Sequence, residues 1–178
     1  MVIQLKGCRM LTLIAVVGGG ETPKSVLDAA FKTGAEIMRA GFTLICGGLG
    51  GVMEAACRGA STVVGSGTGR IIGVLPGYDK GEANPYVDVV IATGIGYARN
   101  SIIASSADAV IVISGGSGTL SEIALAWQYG KPIVIIRGLP GITSRFIEES
   151  IDGRRSDRIL GADSPEDAVH IIRSILGC

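Results

Sequence analysis

Backbone amides, hydroxyl groups and a carboxylate lie within eight residues of one glycine-rich segment, Gly115-Gly116-Ser117-Gly118-Thr119-Leu120-Ser121-Glu122. Glycines allow close backbone approach, and the amides at a helix N-terminus bind anions. Thr119 adds a hydroxyl for a phosphate, and Glu122 follows one helical turn later on roughly the same face. The spacing Thr119-x-x-Glu122 is also that of a helix capping box. From this segment alone, a phosphate-binding site and a helix cap are equally supported.

Arg99 adds a cation to this set. The helix that we predict around it begins near Tyr97, which places Arg99 in the first turn. There the helix dipole disfavours a positive charge by a few tenths of a kcal/mol up to about 1 kcal/mol. A nearby anionic group explains that position, and a surface salt bridge is the alternative. If the fourth and fifth strands of the sheet are neighbours, Arg99 and Glu122 face one pocket.

Other glycine runs, drawn from the 28 glycines of the chain, also follow predicted strands. Gly18-Gly19-Gly20 follows the first strand and Gly47-Gly48-Leu49-Gly50-Gly51 follows the second. In a parallel sheet, ligands bind at the carboxyl ends of the strands. We therefore predict that a phosphate-bearing ligand is held by Gly19, Gly20, Gly47, Gly48, Gly51, Gly115, Gly116, Ser117, Gly118 and Thr119. The alternative is that these glycines only form tight turns.

The elements that must position these residues alternate between short β-branched runs and longer Ala-rich amphipathic segments. The predicted strands are Leu11–Val17, Phe42–Cys46, Ile71–Leu75, Val87–Thr93, Ala109–Ser114 and Pro132–Ile136. The predicted helices are Lys24–Ala40, Val52–Ser61, Tyr97–Ser106, Gly118–Tyr129, Phe146–Ser150 and Pro165–Leu176. Strands that are apolar throughout are buried on both faces. The pattern predicts an α/β, doubly wound Rossmann-like domain over residues 1–178, with a mainly parallel sheet flanked by helices and residues 1–10 as an extension.

Two common nucleotide-binding motifs are missing, and their absence limits the kinds of phosphate ligand that fit. A dinucleotide site needs an acidic residue at the tip of the second strand, where this chain has Cys46-Gly47. No Gly-Lys-Ser/Thr sequence follows any glycine run, which excludes a P-loop. A mononucleotide or a ribose phosphate therefore fits better than a dinucleotide.

Composition excludes several classes of protein. Sixteen Lys and Arg balance sixteen Asp and Glu without a basic run, and aromatic residues make up only 4% of the chain. Both features argue against a nucleic-acid partner. No apolar run reaches the ~18–20 residues of a membrane span, so no membrane contact is expected.

Histidine and cysteine usage argues against a metal site. His170 is the one histidine, and the four cysteines Cys8, Cys46, Cys57 and Cys178 form no CxxC pair. Cys46 and Cys57 are interpreted as small buried hydrophobic residues, in a reduced protein located in the cytoplasm. The charged fraction of 18% is low, and it suggests surface that is buried between subunits of a homo-oligomer.

At these residues the chain resembles the LOG-like proteins, a superfamily once labelled "possible lysine decarboxylase". The resemblance covers roughly residues 11–175. It rests on Gly47-Gly48-Leu49-Gly50-Gly51-Val52-Met53, on Arg99, and on the segment from Gly115 to Glu122. The superfamily includes cytokinin-activating nucleoside 5′-monophosphate phosphoribohydrolases and, in a closer-looking branch, molybdenum cofactor carrier proteins.

The resemblance implies two functions. A hydrolase would cut the N-glycosidic bond of a nucleoside 5′-monophosphate, with Glu122 and Arg99 as catalytic residues and no required cofactor. A carrier would hold the molybdenum cofactor by the same loops without cutting it. The resemblance also implies a dimer or a tetramer. A third possibility, DNA handling by a Rossmann-like domain of this kind, is disfavoured by the balanced charge and the scarcity of aromatic residues.

Two departures from the hydrolase pattern bear on catalysis. Ser114 stands where the hydrolases have proline before the glycines, and Asn100 stands where they usually have lysine after the arginine. The older decarboxylase label has no support in the residues, because pyridoxal phosphate needs a lysine in its site. Of the five lysines, three lie in predicted surface segments, one precedes the first strand, and Lys131 lies at the amino end of a strand, away from the glycine-rich edge.

Overall fold

The structure, a computed structural model, describes residues 11–63 and 69–177. The predicted extension at residues 1–10 lies outside the described residues, as do Cys8 and Cys178. Within residues 11–63 and 69–177, no helix has both the length and the apolar character needed to cross a bilayer.

Seven parallel strands form one sheet in the described part of the chain. The strands are β1 (Leu13–Val17), β2 (Thr43–Cys46), β3 (Ile71–Leu75), β4 (Val89–Ala92), β5 (Ala109–Val112), β6 (Ile133–Ile136) and β7 (Leu160–Ala162). The helices are α1 (Lys24–Arg39), α2 (Val52–Ser61), α3 (Arg99–Ser106), α4 (Ser117–Gln128) and α5 (Pro165–Leu176). The strand order is β4-β3-β2-β1-β5-β6-β7, and every neighbouring pair is parallel. The predicted doubly wound α/β fold is confirmed.

The order of the strands creates a crevice at the centre of the sheet. From β1 the chain steps outward to β4, and α3 then returns it to β5 on the other side of β1. Val17, the last residue of β1, lies beside Val112, the last residue of β5. The helices that follow these two strands pack on opposite faces of the sheet. Ligands of doubly wound proteins bind at such a point.

The two faces of the sheet carry separate hydrophobic cores. On one face, α1, α2 and α5 pack through residues such as Ile37, Ala56 and Ile172. On the other face, α3 and α4 pack through Ile103 and Trp127. Both faces of the central strands are covered, which is why those strands are apolar without alternation.

Two helical glycines let α1 and α2 pack with their backbones in contact. A Cβ on Gly34 would lie 1.9 Å from the carbonyl oxygen of Ala56, and a Cβ on Gly59 would lie 1.8 Å from that of Phe31. Neither position has room for a side chain. These two glycines are therefore needed for packing and are remote from the predicted ligand loops.

Two expectations for the C-terminal third were wrong. The helix predicted at Phe146–Ser150 is absent, and a 3₁₀ helix covers Ile142–Phe146 instead. The backbone after it pairs with Ile159, whose carbonyl accepts a hydrogen bond from the Glu148 amide over 2.8 Å. This pairing replaces the hydrogen bonds that a helix needs. The seventh strand, Leu160–Ala162, was not predicted, because three residues with a central glycine give no strand pattern.

Candidate functional site

A cleft of about 670 Å³ opens at the crevice between the tips of β1 and β5. One wall is formed by Gly18, Gly19 and Gly20, which follow β1. The opposite wall is the start of α4, from Gly116 to Thr119. Because β1 and β5 are adjacent, these two glycine-rich segments face each other.

The capping interpretation of Thr119 and Glu122 is wrong. Helix α4 begins at Ser117, so Thr119 is its third residue and Glu122 its sixth. Gly116 occupies the cap position, and no side chain caps this helix end. The first amides of a helix have no partner inside the helix. At α4 these amides belong to residues that line the cleft, and they are available to an anion.

Arg99 and Glu122 meet in the wall of the cleft. The Arg99 Nη1 donates to Glu122 Oε1 over 3.3 Å, and both side chains are about nine-tenths buried. They do not meet for the reason that the sequence suggested, because β4 is an edge strand and β3, β2 and β1 lie between it and β5. The contact arises because α3 crosses back over the sheet and packs against α4.

Gly47 supports the guanidinium of Arg99. A Cβ on Gly47 would lie 2.3 Å from Nη2 and 2.6 Å from Cζ of Arg99. The guanidinium therefore packs directly on the backbone at the end of β2. The Nε of Arg99 has no hydrogen-bond partner in the described part of the chain. Close packing, more than hydrogen bonding, fixes where this cation lies.

Burial sets the protonation of Glu122. Loss of solvent raises the pKa of this carboxyl to about 7, although the positive charge of Arg99 opposes the rise. Near neutral pH the site therefore holds both the protonated and the ionised form. A carboxyl with such a pKa can exchange a proton with a reactant at neutral pH.

The predicted ligand residues divide into two groups. The first group lines the cleft and consists of Gly19, Gly20, Gly116, Ser117, Gly118 and Thr119, together with Arg99 and Glu122. The second group lies behind the lining and consists of Gly47, Gly48, Gly51 and Gly115.

The glycines of the second group shape the loops that form the cleft. A Cβ on Gly51 would lie 2.2 Å from the carbonyl oxygen of Gly20, and the φ of Gly51 is +68°. A Cβ on Gly115 would lie 2.0 Å from Oγ1 of Thr119. Gly48 has a φ of +71° and packs against Gly73. Each of these positions has a close contact with a neighbouring segment, a left-handed backbone, or both. Glycine suits either condition because it has no Cβ.

Asn84 holds the loop between β2 and α2, a role that sequence analysis did not predict. Its Nδ2 donates to the carbonyl oxygens of Gly48 and Leu49, each over 3.1 Å. Its own amide also donates to Gly48, over 2.8 Å. A single asparagine in a polar segment has no pattern that predicts such a contact.

Six residues of the cleft lining were not among the predicted ligand residues. They are Gly18, Leu49, Met53, Tyr97, Asn100 and Ser121. The Nδ2 of Asn100 donates to Ser121 Oγ over 2.8 Å, and Ser121 Oγ donates to the Gly118 carbonyl over 2.6 Å. Leu49 and Met53 belong to the glycine-rich motif after β2, so a signal for them was present.

Ser114 and the two described cysteines lie just outside the cleft. Ser114 Oγ donates to the Pro140 carbonyl over 2.6 Å, which ties the end of β5 to the loop after β6. Cys46 and Cys57 are buried free thiols, as predicted, with their sulfur atoms 3.4 Å apart. The hydrogen bond with Cys46, together with burial, raises the pKa of the Cys57 thiol. These two cysteines pack beneath the loop that begins at Gly47.

The sequence pattern of the SLOG cluster4 family matches residues 11–169. The chain belongs to this family. A SLOG cluster4 protein is a LOG-like protein, so the resemblance given by the glycine motifs is confirmed. Among relatives, a cytokinin riboside 5′-monophosphate phosphoribohydrolase of Mycobacterium tuberculosis is 33% identical over 133 residues. The match spans 70% of this chain and 70% of that relative.

Solved structures similar to this SLOG cluster4 protein have a different described role. The molybdenum cofactor binding protein of Rippkaea orientalis is 35% identical, with a TM-score of 0.82. The molybdenum cofactor carrier protein of Chlamydomonas reinhardtii is 32% identical, with a TM-score of 0.81. Each comparison covers 94% of this chain and 99% of the other.

Proposed function

We propose that the cleft binds a phosphorylated, nucleotide-like ligand and hydrolyses the N-glycosidic bond of a nucleoside 5′-monophosphate, releasing the free base and ribose 5-phosphate. The observation that carries this proposal is the buried contact between Arg99 and Glu122, beside the uncapped N-terminus of α4. Taking both ions out of water is costly, so a pair of this kind at a cleft is a candidate for chemistry.

The geometry suggests a role for each part of the site. The amides of Ser117, Gly118 and Thr119, with the Thr119 hydroxyl, would bind the 5′-phosphate. Cleavage places positive charge on the ribose at C1′, and the ionised carboxylate of Glu122 would stabilise that charge and orient the attacking water. Water adds its oxygen to C1′, the bond from C1′ to the base breaks, and the base leaves with a proton. Arg99 would bind the phosphate or assist the departing base.

The carrier function is a second candidate, favoured by a separate observation. The similar solved structures are described as molybdenum cofactor binding and carrier proteins, and they match along almost the whole chain. A cleft of about 670 Å³ lined by amides and hydroxyls also suits a phosphorylated pterin as cargo. This function needs the glycine-rich loops but no catalytic carboxylate.

One experiment separates the two functions. Purified protein is incubated with a panel of nucleoside 5′-monophosphates, and free base is measured beside Glu122→Ala and Arg99→Ala. If the protein is a hydrolase, wild type releases free base and both substitutions abolish this release. The hydrolase proposal fails if wild type releases base no faster than Glu122→Ala on any substrate of the panel. The ligand that copurifies is then oxidised. Pterin fluorescence that survives in Glu122→Ala, without turnover, supports the carrier function.

We also propose that the protein is a homo-oligomer, a dimer or a tetramer, in the cytoplasm. Supporting this, the charged fraction is low, and apolar side chains such as Ile95 are half exposed. The buried free thiols suit a reducing compartment. Light scattering tests the assembly, and a mass equal to one 18.2 kDa chain would refute it.

A further inference from the structure

Tyr97 lines the cleft, yet its residue surface is 87% exposed. An aromatic ring held in solvent at the rim of a ligand cleft has no packing role of its own. Within residues 11–63 and 69–177, its hydroxyl forms no hydrogen bond. The ring therefore has a face available for a partner.

The backbone that carries Tyr97 is fixed even though the ring is not. Tyr97 lies in a one-turn 3₁₀ helix over Gly96–Ala98, between β4 and α3. The amides of Gly94 and Gly96 donate to the carbonyls of Gly77 and Pro76, each over 3.0 Å. Both glycines adopt positive φ values of +66° and +60°, which the turn requires. The fold thus sets the backbone position from which the ring reaches the rim.

The chemistry of the lining changes across the cleft. The segments after β5 and β1 contribute amides and hydroxyls, mainly from Gly18–Gly20 and Ser117–Thr119. The apolar side chains come from elsewhere, namely Leu49 and Met53 after β2, and Tyr97 after β4. In the sheet, β2 and β4 lie on the opposite side of β1 from β5. The cleft therefore has a polar side, rich in amides and hydroxyls, and an apolar side.

Arg99 and Glu122 connect these two sides. Arg99 is two residues from Tyr97, and its guanidinium contacts Glu122, one helical turn after Thr119. A mononucleotide has the same order of groups, with phosphate, then the ribose carbon C1′, then the planar base. If the phosphate is at the start of α4 and C1′ near Glu122, the base extends toward the apolar side.

We propose that Tyr97 stacks on the planar heterocycle of the ligand and thereby selects ligands that carry such a ring. This inference rests on the proposed phosphate site, and it holds whether the ligand is cut or carried. Stacking recognises a flat π-face rather than a particular set of hydrogen-bonding atoms. We therefore expect nucleotides with different bases to bind with similar affinity. A sugar phosphate that lacks a base should bind more weakly.

The test compares two ligands that share the phosphate but differ in the ring. The ligands are ribose 5-phosphate and the carbocyclic analogue of AMP, whose C1′–N bond resists hydrolysis because it lacks the ring oxygen. Isothermal titration calorimetry measures both dissociation constants. We expect Tyr97→Ala to raise the dissociation constant of the AMP analogue by about tenfold, within the range for loss of one stacked base. The dissociation constant of ribose 5-phosphate should not change. Tyr97→Phe should bind both ligands as wild type does.

Ile175→Ala is the control, because Ile175 is a large side chain on α5 that is 46% exposed and is not part of the cleft lining. It should leave both constants unchanged. If Tyr97→Ala weakens the binding of both ligands equally, or changes the binding of neither, the proposed role of the ring is overturned. If wild type binds neither ligand, the phosphate site itself fails, and that result is distinct from a failure of Tyr97.

Discussion

The guanidinium of Arg99 donates to the carboxylate of Glu122 over 3.3 Å, with about a tenth of each side chain exposed. Helix α4 begins five residues before Glu122, and Arg99 is the first residue of α3. The contact therefore depends on how two helices cross one face of the sheet.

Hydrolysis should depend on the ionised form of Glu122. Because burial raises the pKa of this carboxyl to about 7, kcat should be half-maximal near pH 7 and should level off about one pH unit higher. Steady-state rates between pH 5 and pH 9, at saturating nucleoside monophosphate, measure this. Arg99→Gln removes the charge that lowers the pKa, so any remaining activity should level off at higher pH. An unmoved profile would mean that another group titrates, such as the substrate phosphate.

The same pKa predicts a pH-dependent stability. The carboxyl binds its proton more tightly in the folded protein than in the unfolded chain, where its pKa is about 4.5. Its contribution is fully present below about pH 4.5 and is lost as pH rises through about 7. The stability of wild type relative to Glu122→Gln should therefore fall by about 3 kcal/mol from pH 4.5 to pH 8. Urea unfolding at the two pH values measures the difference, and a constant difference would contradict the prediction.

Gly47→Ala should disturb the site more than the fold. The added methyl would lie 2.3 Å from Arg99 Nη2, so the guanidinium must move away from its position beside Glu122. Misplacing a catalytic group by about 1 Å costs up to ~100-fold in rate, and we expect a loss of about tenfold or more in kcat/KM. Gly50→Ala is the control in the same loop, because its Cβ would have only one neighbour, at 3.8 Å. Equal effects of the two substitutions would argue against a role for the position of Arg99.

Gly34→Ala should destabilise the fold by about 2 kcal/mol or more, because its Cβ would overlap the Ala56 carbonyl in the contact between α1 and α2. Gly118→Ala is a helical counterpart with no atom within 4 Å of its Cβ, and it should be neutral or stabilise by up to about 1 kcal/mol. Denaturant unfolding without ligand measures both variants. A Gly34→Ala variant as stable as Gly118→Ala would contradict the packing described here.

Much of the fold could be predicted from local pattern. Strands such as Ile133–Ile136 are continuous apolar runs that fit only a sheet buried on both faces. The order of the strands could not be predicted in this way, because the sequence of a crossover helix does not show beside which strand the next strand will pair. The condition that β4 and β5 are neighbours depended on that order and is not met, although Arg99 and Glu122 do line one cleft.

The site was predictable where the chemistry is local. The glycines after β1 and at the start of α4 line the cleft because strand tips converge at one edge of the sheet. The contributions of Asn84 and Tyr97 arise from tertiary contacts and have no local pattern. The sequence also did not distinguish Gly47, which packs against a cation, from Gly50, which has open space around it.

The neighbouring position of β1 and β5 couples ligand binding to the stability of the chain. Ile14 pairs with Ala109 across this junction, so the two facing loops come together only after a long stretch of chain between them has folded. A fragment that ends before β5 would lack one wall of the cleft. Any ligand that needs both loops binds only the assembled domain, and at 100 times its Kd it adds about 2.7 kcal/mol to the free energy of unfolding. Protection against heat or proteolysis can therefore identify the ligand before any reaction is known.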